Sequence, residues 1–194
     1  KSKTLYLDIF AHHGVIPYLI SHTYITIFNP EDYLDIRRVM IMLALISAFA
    51  IYKSPIFKER IIKIFASGLY LSLLSAVWIK SSMHLVLYQP IIGLLYVIIL
   101  SQLFFPLFLK IYPSEKGVFW SGFVTSLICF SAYSAGPAIV FLLISSYIAT
   151  NFIKNKKRVA KYFLIFSGAF CLSFFLIIIW FFFFGDLKGY FVYH

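Results

Sequence analysis

VFWSGFVTSLICFSAYSAGPAIVFLLISSYIATN, residues 118–151, is the stretch on which the fold turns. No side chain in it carries a formal charge. As one helix it would reach roughly 50 Å at about 1.5 Å per residue, against about 30 Å of bilayer hydrocarbon. A single crossing cannot hold it. Ser134-Ala135-Gly136-Pro137 is the natural break, because Gly and Pro punctuate helices. The stretch therefore reads as two short apolar helices, about Val118–Tyr133 and Pro137–Phe152, turned back on each other in a tight hairpin.

The rest of the chain follows the same pattern. Its 194 residues are 62% hydrophobic and 12% charged, and the mean hydropathy is +0.92. Globular domains are about 45–50% apolar and roughly a quarter charged, so a water-soluble fold of this size has too little polar surface to cover itself. The apolar runs are too long and continuous for a barrel of alternating strands. The expected fold class is all-α: a polytopic transmembrane helix bundle of about six spans with one interfacial amphipathic helix. The net charge of +10 sits in short loops, where it reads as an orientation signal and a lipid-headgroup contact. No basic-plus-aromatic surface module is present, so no nucleic-acid partner is expected. Cys129 and Cys171 fall inside apolar runs and read as small hydrophobes, not as a disulfide or a metal pair. The chain opens on Lys1-Ser2-Lys3 without Met and stops at His194 in mid-pattern, as expected for a piece of a longer protein with a span upstream.

Three parts are expected: an outer loop with a juxtamembrane helix (1–35), the membrane bundle (36–184) and the start of another outer loop (185–194). Val15 to Phe28 is apolar but too short to cross. His22, Thr26 and Asn29 repeat at helical spacing on it, as for a helix lying in the interface. Spans follow at about Ile36–Tyr52, Ile61–Ile79, Leu85 or Pro90 to Leu109, the two halves of the opening stretch, and Ala160–Phe184. The loops at 53–60, 110–117 and 153–161 are basic and alternate correctly to share one side, which the positive-inside rule makes cytoplasmic. Asp8, His12, His13, Lys80, His84, Asp186 and Lys188 then gather on the extracytoplasmic side.

Chemistry-bearing residues are few. Asp8 is the only acid in the first 30 residues, set among Leu7, Ile9 and Phe10. It reads either as a solvated loop carboxylate or as a partly desolvated proton acceptor. His12 and His13 point apart on a helix and have no third ligand at a useful spacing, so substrate contact is favoured over metal. Gly14 and Pro17 mark a turn and a helix start. Arg37 and Arg38 stand at an outer boundary where orientation rules do not place cations. They either snorkel and pair with Asp32 or Asp35, or clamp a phosphate. Lys80 and His84 carry the same two readings.

The pattern Tyr6-x-Asp8-x-x-x-His12-x-Gly14 (YLDIFAHHG in full), a short apolar segment, then Arg37-Arg38 opening a span, resembles the first outer loop of polytopic GT-C fold glycosyltransferases. It is most similar to the glycosyltransferase family 39-like group, related to protein O-mannosyltransferases and the lipid A aminoarabinose transferase. The likeness covers residues 6–38, and Val15 stands where such proteins often have Pro. It implies that Asp8 is the catalytic carboxylate, taking the acceptor's proton. His12, His13, Gly14, Arg37, Arg38, Lys80 and His84 become candidates for holding substrate. The implied partners are a polyprenyl-phosphate sugar donor, membrane lipid and an acceptor outside the cytoplasm. No second acidic motif appears in a later loop, so no metal is assigned and dependence on a divalent cation stays open. Two rivals remain: a transporter or flippase for a lipid-linked or anionic substrate, which would want ionisable groups at mid-membrane, and a non-catalytic membrane assembly subunit, which would not need Asp8.

Overall fold

The structure, a computed structural model, describes residues 15–28, 37–80, 88–131 and 135–184. Among these residues there is helix and no strand, as the composition requires. The helices are α1 (Ile16–Phe28), α2 (Arg37–Lys53), α3 (Arg60–Lys80), α4 (Tyr88–Ile99), a π-helical segment (Leu100–Phe104) that leads straight into α5 (Phe105–Phe108), α6 (Glu115–Cys129), α7 (Gly136–Ala149) closed by a 3₁₀ turn (Thr150–Phe152), and α8 (Lys156–Phe184).

Local chemistry sets the ends. Ser114, extended at ψ 148°, takes the Gly117 N–H on its hydroxyl at 3.0 Å and starts α6, with Glu115 in the first turn beside the positive helix end. Asn155 starts α8 by accepting from the Lys157 and Arg158 N–H groups at 3.0 and 3.3 Å. Both helices begin a turn earlier than apolarity predicts, because a capped polar turn can precede the greasy part. Gly136-Pro137 opens α7 with Pro in the first turn, where its missing N–H costs nothing.

The Pro90–Phe108 and Lys156–Phe183 helices are long and apolar enough to cross a membrane; Gly136–Phe152 is apolar but shorter. Large apolar side chains face outward on α8 (Phe163, Leu164, Phe175, Phe182), α7 (Phe141, Tyr147) and α2 (Ile41, Leu45, Phe49). Such an exterior suits hydrocarbon as solvent and not water.

The inner side of α8 carries Tyr162, Ala169, Ser173, Ile177 and Phe181, all buried and spaced along one helical stripe. It meets the small face of α6, where Gly117, Ser121, Gly122, Thr125 and Ser126 are buried. The α6–α8 contact is the most extensive between helices among the described residues. This corrects the expected hairpin of Val118–Tyr133 with Pro137–Phe152: α6 takes α8, not α7, as its main partner. The reason is steric. Only the Gly/Ser/Thr face of α6 lets another backbone approach closely, whereas α7 turns Val140, Phe141, Ile144 and Ile148 outward.

The main core joins Val15 and Ile16 to Met40 and Ala44 of α2, Ile91 to Ile98 of α4, Val124 and Ile128 of α6, and Ile177 and Phe181 of α8. A smaller core of Leu103, Leu107, Val118, Ile153 and Tyr162 closes the opposite end. The helix expected in the interface starts in this core, with Val15 and Ile16 buried, while Tyr18, His22, Ile25, Ile27 and Phe28 along it are exposed.

Candidate functional site

Three regions carry polar chemistry against this apolar background. The first is the end at which α1 enters. Val15 and Ile16 are fully buried beside Met40 and Ile91. The His22 ring meets Trp180 near the end of α8 edge-on, centroids 6.2 Å apart. Tyr96 on α4 donates to the Ala135 carbonyl at 3.1 Å, which holds the start of α7 at the bundle. Ser47 and Tyr70 hydroxyls bond at 2.9 Å across α2 and α3. In this antiparallel pair, the same number of residues separates Ser47 from Arg37 as separates Tyr70 from Lys80. The backbones of Arg37 and Lys80, first and last residues of their helices, therefore stand at one level. Arg38 is exposed on the first turn of α2.

Of the residues singled out in the sequence, the structure brings together the helix ends bearing Arg37, Arg38 and Lys80, at the end of the bundle where Val15 is buried. Asp8, His12, His13, Gly14, His84, Asp186 and Lys188 lie outside the described residues, as do Asp32, Asp35 and Asn29. Among the described residues no cluster of three or more His, Cys, Asp or Glu is placed to hold a metal ion. Cys129 and Cys171 are both free thiols.

The second region is a groove of about 400 Å³ bounded by α2, α3 and the run from α4 through the π-helical segment to α5. It exists because α3 leans on α2 and makes no comparable contact with another described helix, which leaves a wedge between α3 and the α4 to α5 run. Leu69, Leu73, Val97, Leu100 and Phe105 line its walls, with Ile56 and Phe57 of the α2–α3 connection at one end. Three hydroxyls also reach it, Ser54, Tyr70 and Ser101, but each is already used: Tyr70 with Ser47, Ser54 on the Ser101 carbonyl at 2.6 Å, and Ser101 on the Ile98 carbonyl at 3.3 Å. The groove offers an occupant apolar walls and no free hydroxyl proton.

One wall owes its shape to Pro106. Without an N–H, Pro106 cannot serve the Gln102 carbonyl four residues back. The ladder shifts register, and the Phe105 N–H reaches Leu100 instead, one residue further than in an α-helix. The Ser101 carbonyl would then need the same missing Pro106 N–H. The buried Ser54 hydroxyl fills that gap from the end of α2. Next to it, buried Gln102 donates its amide to the Ala50 carbonyl, another group at the C-terminus of α2. A π-helical irregularity in one helix is thus sealed by two side-chain bonds to its neighbour. Sequence reasoning missed Ser54, Ser101, Gln102 and Tyr70. The available signal was Gln102 four residues before Pro106 in an otherwise apolar run.

The end that carries the smaller core is cationic. Lys161 pairs with Glu115 at 2.5 Å, both more than half exposed, so the pair contributes little. Arg158 lies over the Tyr112 ring at 4.7 Å. Tyr162 donates to the Pro113 carbonyl at 2.8 Å, fastening the 109–114 connection to α8.

Compared with known families, curated proteins and solved structures, the chain gives no match.

Proposed function

We propose that this chain is part of a polytopic membrane glycosyltransferase of the GT-C kind, crossing the cytoplasmic membrane about six times and moving a sugar from a polyprenyl-phosphate carrier to an extracytoplasmic acceptor. In this reading Asp8 takes the proton from the acceptor hydroxyl as its oxygen attacks the sugar's anomeric carbon. The bond from that carbon to the carrier phosphate breaks, and Arg37, Arg38, Lys80 or His84 holds the departing phosphate. His12, His13 and Gly14 shape the acceptor side.

The support is the sequence stretch YLDIFAHHG, joined to one structural observation. The helix ends carrying Arg37, Arg38 and Lys80 share an end of the bundle with buried Val15, immediately after that stretch. Guanidinium groups at such a boundary suit phosphate.

The test is Asp8→Asn in the full-length protein, with labelled sugar transfer from a polyprenyl-phosphate donor measured in membranes at matched protein level. The amide keeps the shape and cannot take a proton. General-base catalysis is worth about 10²–10⁴-fold, so transfer should fall about a hundredfold or more. Full transfer by Asp8→Asn would remove both the base and the reading built on it.

A further inference from the structure

The groove and the proposed outer site do not coincide. The groove is open along its side, where Leu69, Leu73 and Phe105 are exposed, and runs from mid-bundle, near Leu73 and Val97, to a mouth at Ile56 and Phe57 in the α2–α3 connection, at the opposite end from Arg38 and Val15. A head group held at that mouth lies toward the other face of the bundle.

Charge at that mouth is one-sided. Between residues 53 and 63 stand Lys53, Lys58, Arg60 and Lys63 against a single acid, Glu59. Lys63 is the best placed. It precedes Ala66, Tyr70 and Leu73 at spacings that put all four on one face of α3, the face lining the groove. Side chains on a helix lean toward its N-terminus, so the half-buried Lys63 stem runs from the apolar wall toward the mouth. Arg60 opens α3 at the same place, where the first-turn N–H groups and the helix dipole favour an anion. Lys53 is at the same level, but its ammonium lies 5.3 and 5.6 Å from the Phe49 and Tyr52 ring centres, on the face of α2 turned away from Ile51 and Ser54, and takes no part in the rim.

An apolar trough without a free hydroxyl proton, ending in a cationic rim, fits one chemistry: an amphiphile with a long hydrocarbon chain and an anionic head. We infer that the α2–α3–α4 wedge is a binding site for an anionic glycerophospholipid. One acyl chain lies along Leu69, Leu73, Val97 and Leu100, and the phosphate sits between Lys63 and Arg60. The site belongs to the leaflet at the basic-loop end, goes beyond the transferase reading, and requires nothing of Asp8.

The experiment uses the full-length protein in phosphatidylcholine nanodiscs doped with phosphatidylglycerol carrying a photoactivatable acyl chain. Cross-links are mapped by mass spectrometry and compared with the same label on phosphatidylcholine. Cross-links should concentrate on Leu69, Leu73, Leu100 and Phe105 over the equally apolar exposed residues Phe163 and Phe175 of α8. Each cation near an anionic lipid is worth about fivefold in affinity, so Lys63→Gln should lower groove labelling by the phosphatidylglycerol probe about fivefold and leave the phosphatidylcholine probe unchanged. Leu69→Trp, at a half-exposed position that tolerates bulk, should block groove labelling by both. Gel filtration and circular dichroism of each variant check that it is folded. Uniform labelling of groove and α8 would reduce the site to annular lipid. Equal labelling by the two probes, unaffected by Lys63→Gln, would remove the headgroup. A groove protected from both probes would mean that another polypeptide fills it. Any of the three overturns the inference, and none bears on sugar transfer.

Discussion

A methyl group added at Gly122 measures how tightly α6 and α8 are held. The Cβ of Gly122→Ala would enter the Phe166 carbonyl oxygen and stand 3.0 Å from the Phe166 carbonyl carbon and Cα. Carbon contacts want about 3.5–4.0 Å, so α8 must retreat by about 0.5–1 Å. Its obstacle is backbone, which cannot swing aside like a side-chain tip. A gap of that width forfeits about a quarter to a half of each contact's attraction along the interface. Overpacking of this sort costs about 1–3 kcal/mol, and the upper end applies to the largest interface among the described residues. Replacing Gly by Ala inside a helix returns about 1 kcal/mol, which leaves a net loss of about 2 kcal/mol. Gly168→Ala is the control. It lies on α8 two residues past Phe166, exposed, with nothing within 4 Å of the new methyl, and keeps only the propensity gain. The two variants should therefore separate by about 3 kcal/mol with opposite signs. Equilibrium unfolding of the purified protein in mixed micelles, followed by far-ultraviolet circular dichroism, reads the difference. A Gly122→Ala protein as stable as Gly168→Ala would refute the close crossing of α6 and α8.

Three further outcomes are expected. Ser54→Ala strands the buried Ser101 carbonyl that Pro106 cannot serve, and should cost about 1–3 kcal/mol in the same unfolding assay; an unaffected protein would mean that the hydroxyl is not what seals the π-helical segment. Lys110 holds φ 59° at the end of α5, where the Ile111 N–H reaches the Pro106 carbonyl at 2.7 Å and the Lys110 N–H reaches Leu107 at 3.0 Å. Relief of that left-handed strain in Lys110→Gly should stabilise the protein by about 1 kcal/mol, and a loss of stability would contradict the assigned turn. If the basic loops face the cytoplasm, single cysteines at Lys58, Lys116 and Lys154 should resist an impermeant thiol reagent in intact cells and one at Ser82 should react, once Cys129 and Cys171 are replaced; labelling at Lys154 from outside would invert the proposed orientation.

The helices were legible because their causes are local. Apolar runs with no water to serve their backbone must satisfy it internally, so Ile36–Tyr52, Ile61–Ile79 and the run ending at Leu109 correspond to α2, α3 and α4 to α5, and the Gly136-Pro137 break opens α7 where expected. Boundaries slipped where a short polar cap sits outside the apolar run, as at Ser114 and Asn155. The stretch that carries the proposed chemistry, with Asp8, His12 and His13, is visible in the sequence alone and lies outside the described residues.

What the sequence by itself determined is the all-helical class, the near-absence of charge within the apolar runs and the concentration of cations in three connections, since each follows from residue type and its immediate neighbours. Partnership was decided only in three dimensions. Nothing in the order of the chain says that α6 must choose α8 over α7; Gly122 settles it, because a backbone can come that close only where no side chain stands. Nor does the sequence show that Ser54 completes a bond left open by Pro106, fifty residues away to the nearest ten, or that α3, which among the described helices packs mainly on α2, leaves a groove with Lys63 at its rim. Those features are set by which surfaces meet, and packing complementarity is a property of pairs of helices that no single segment contains.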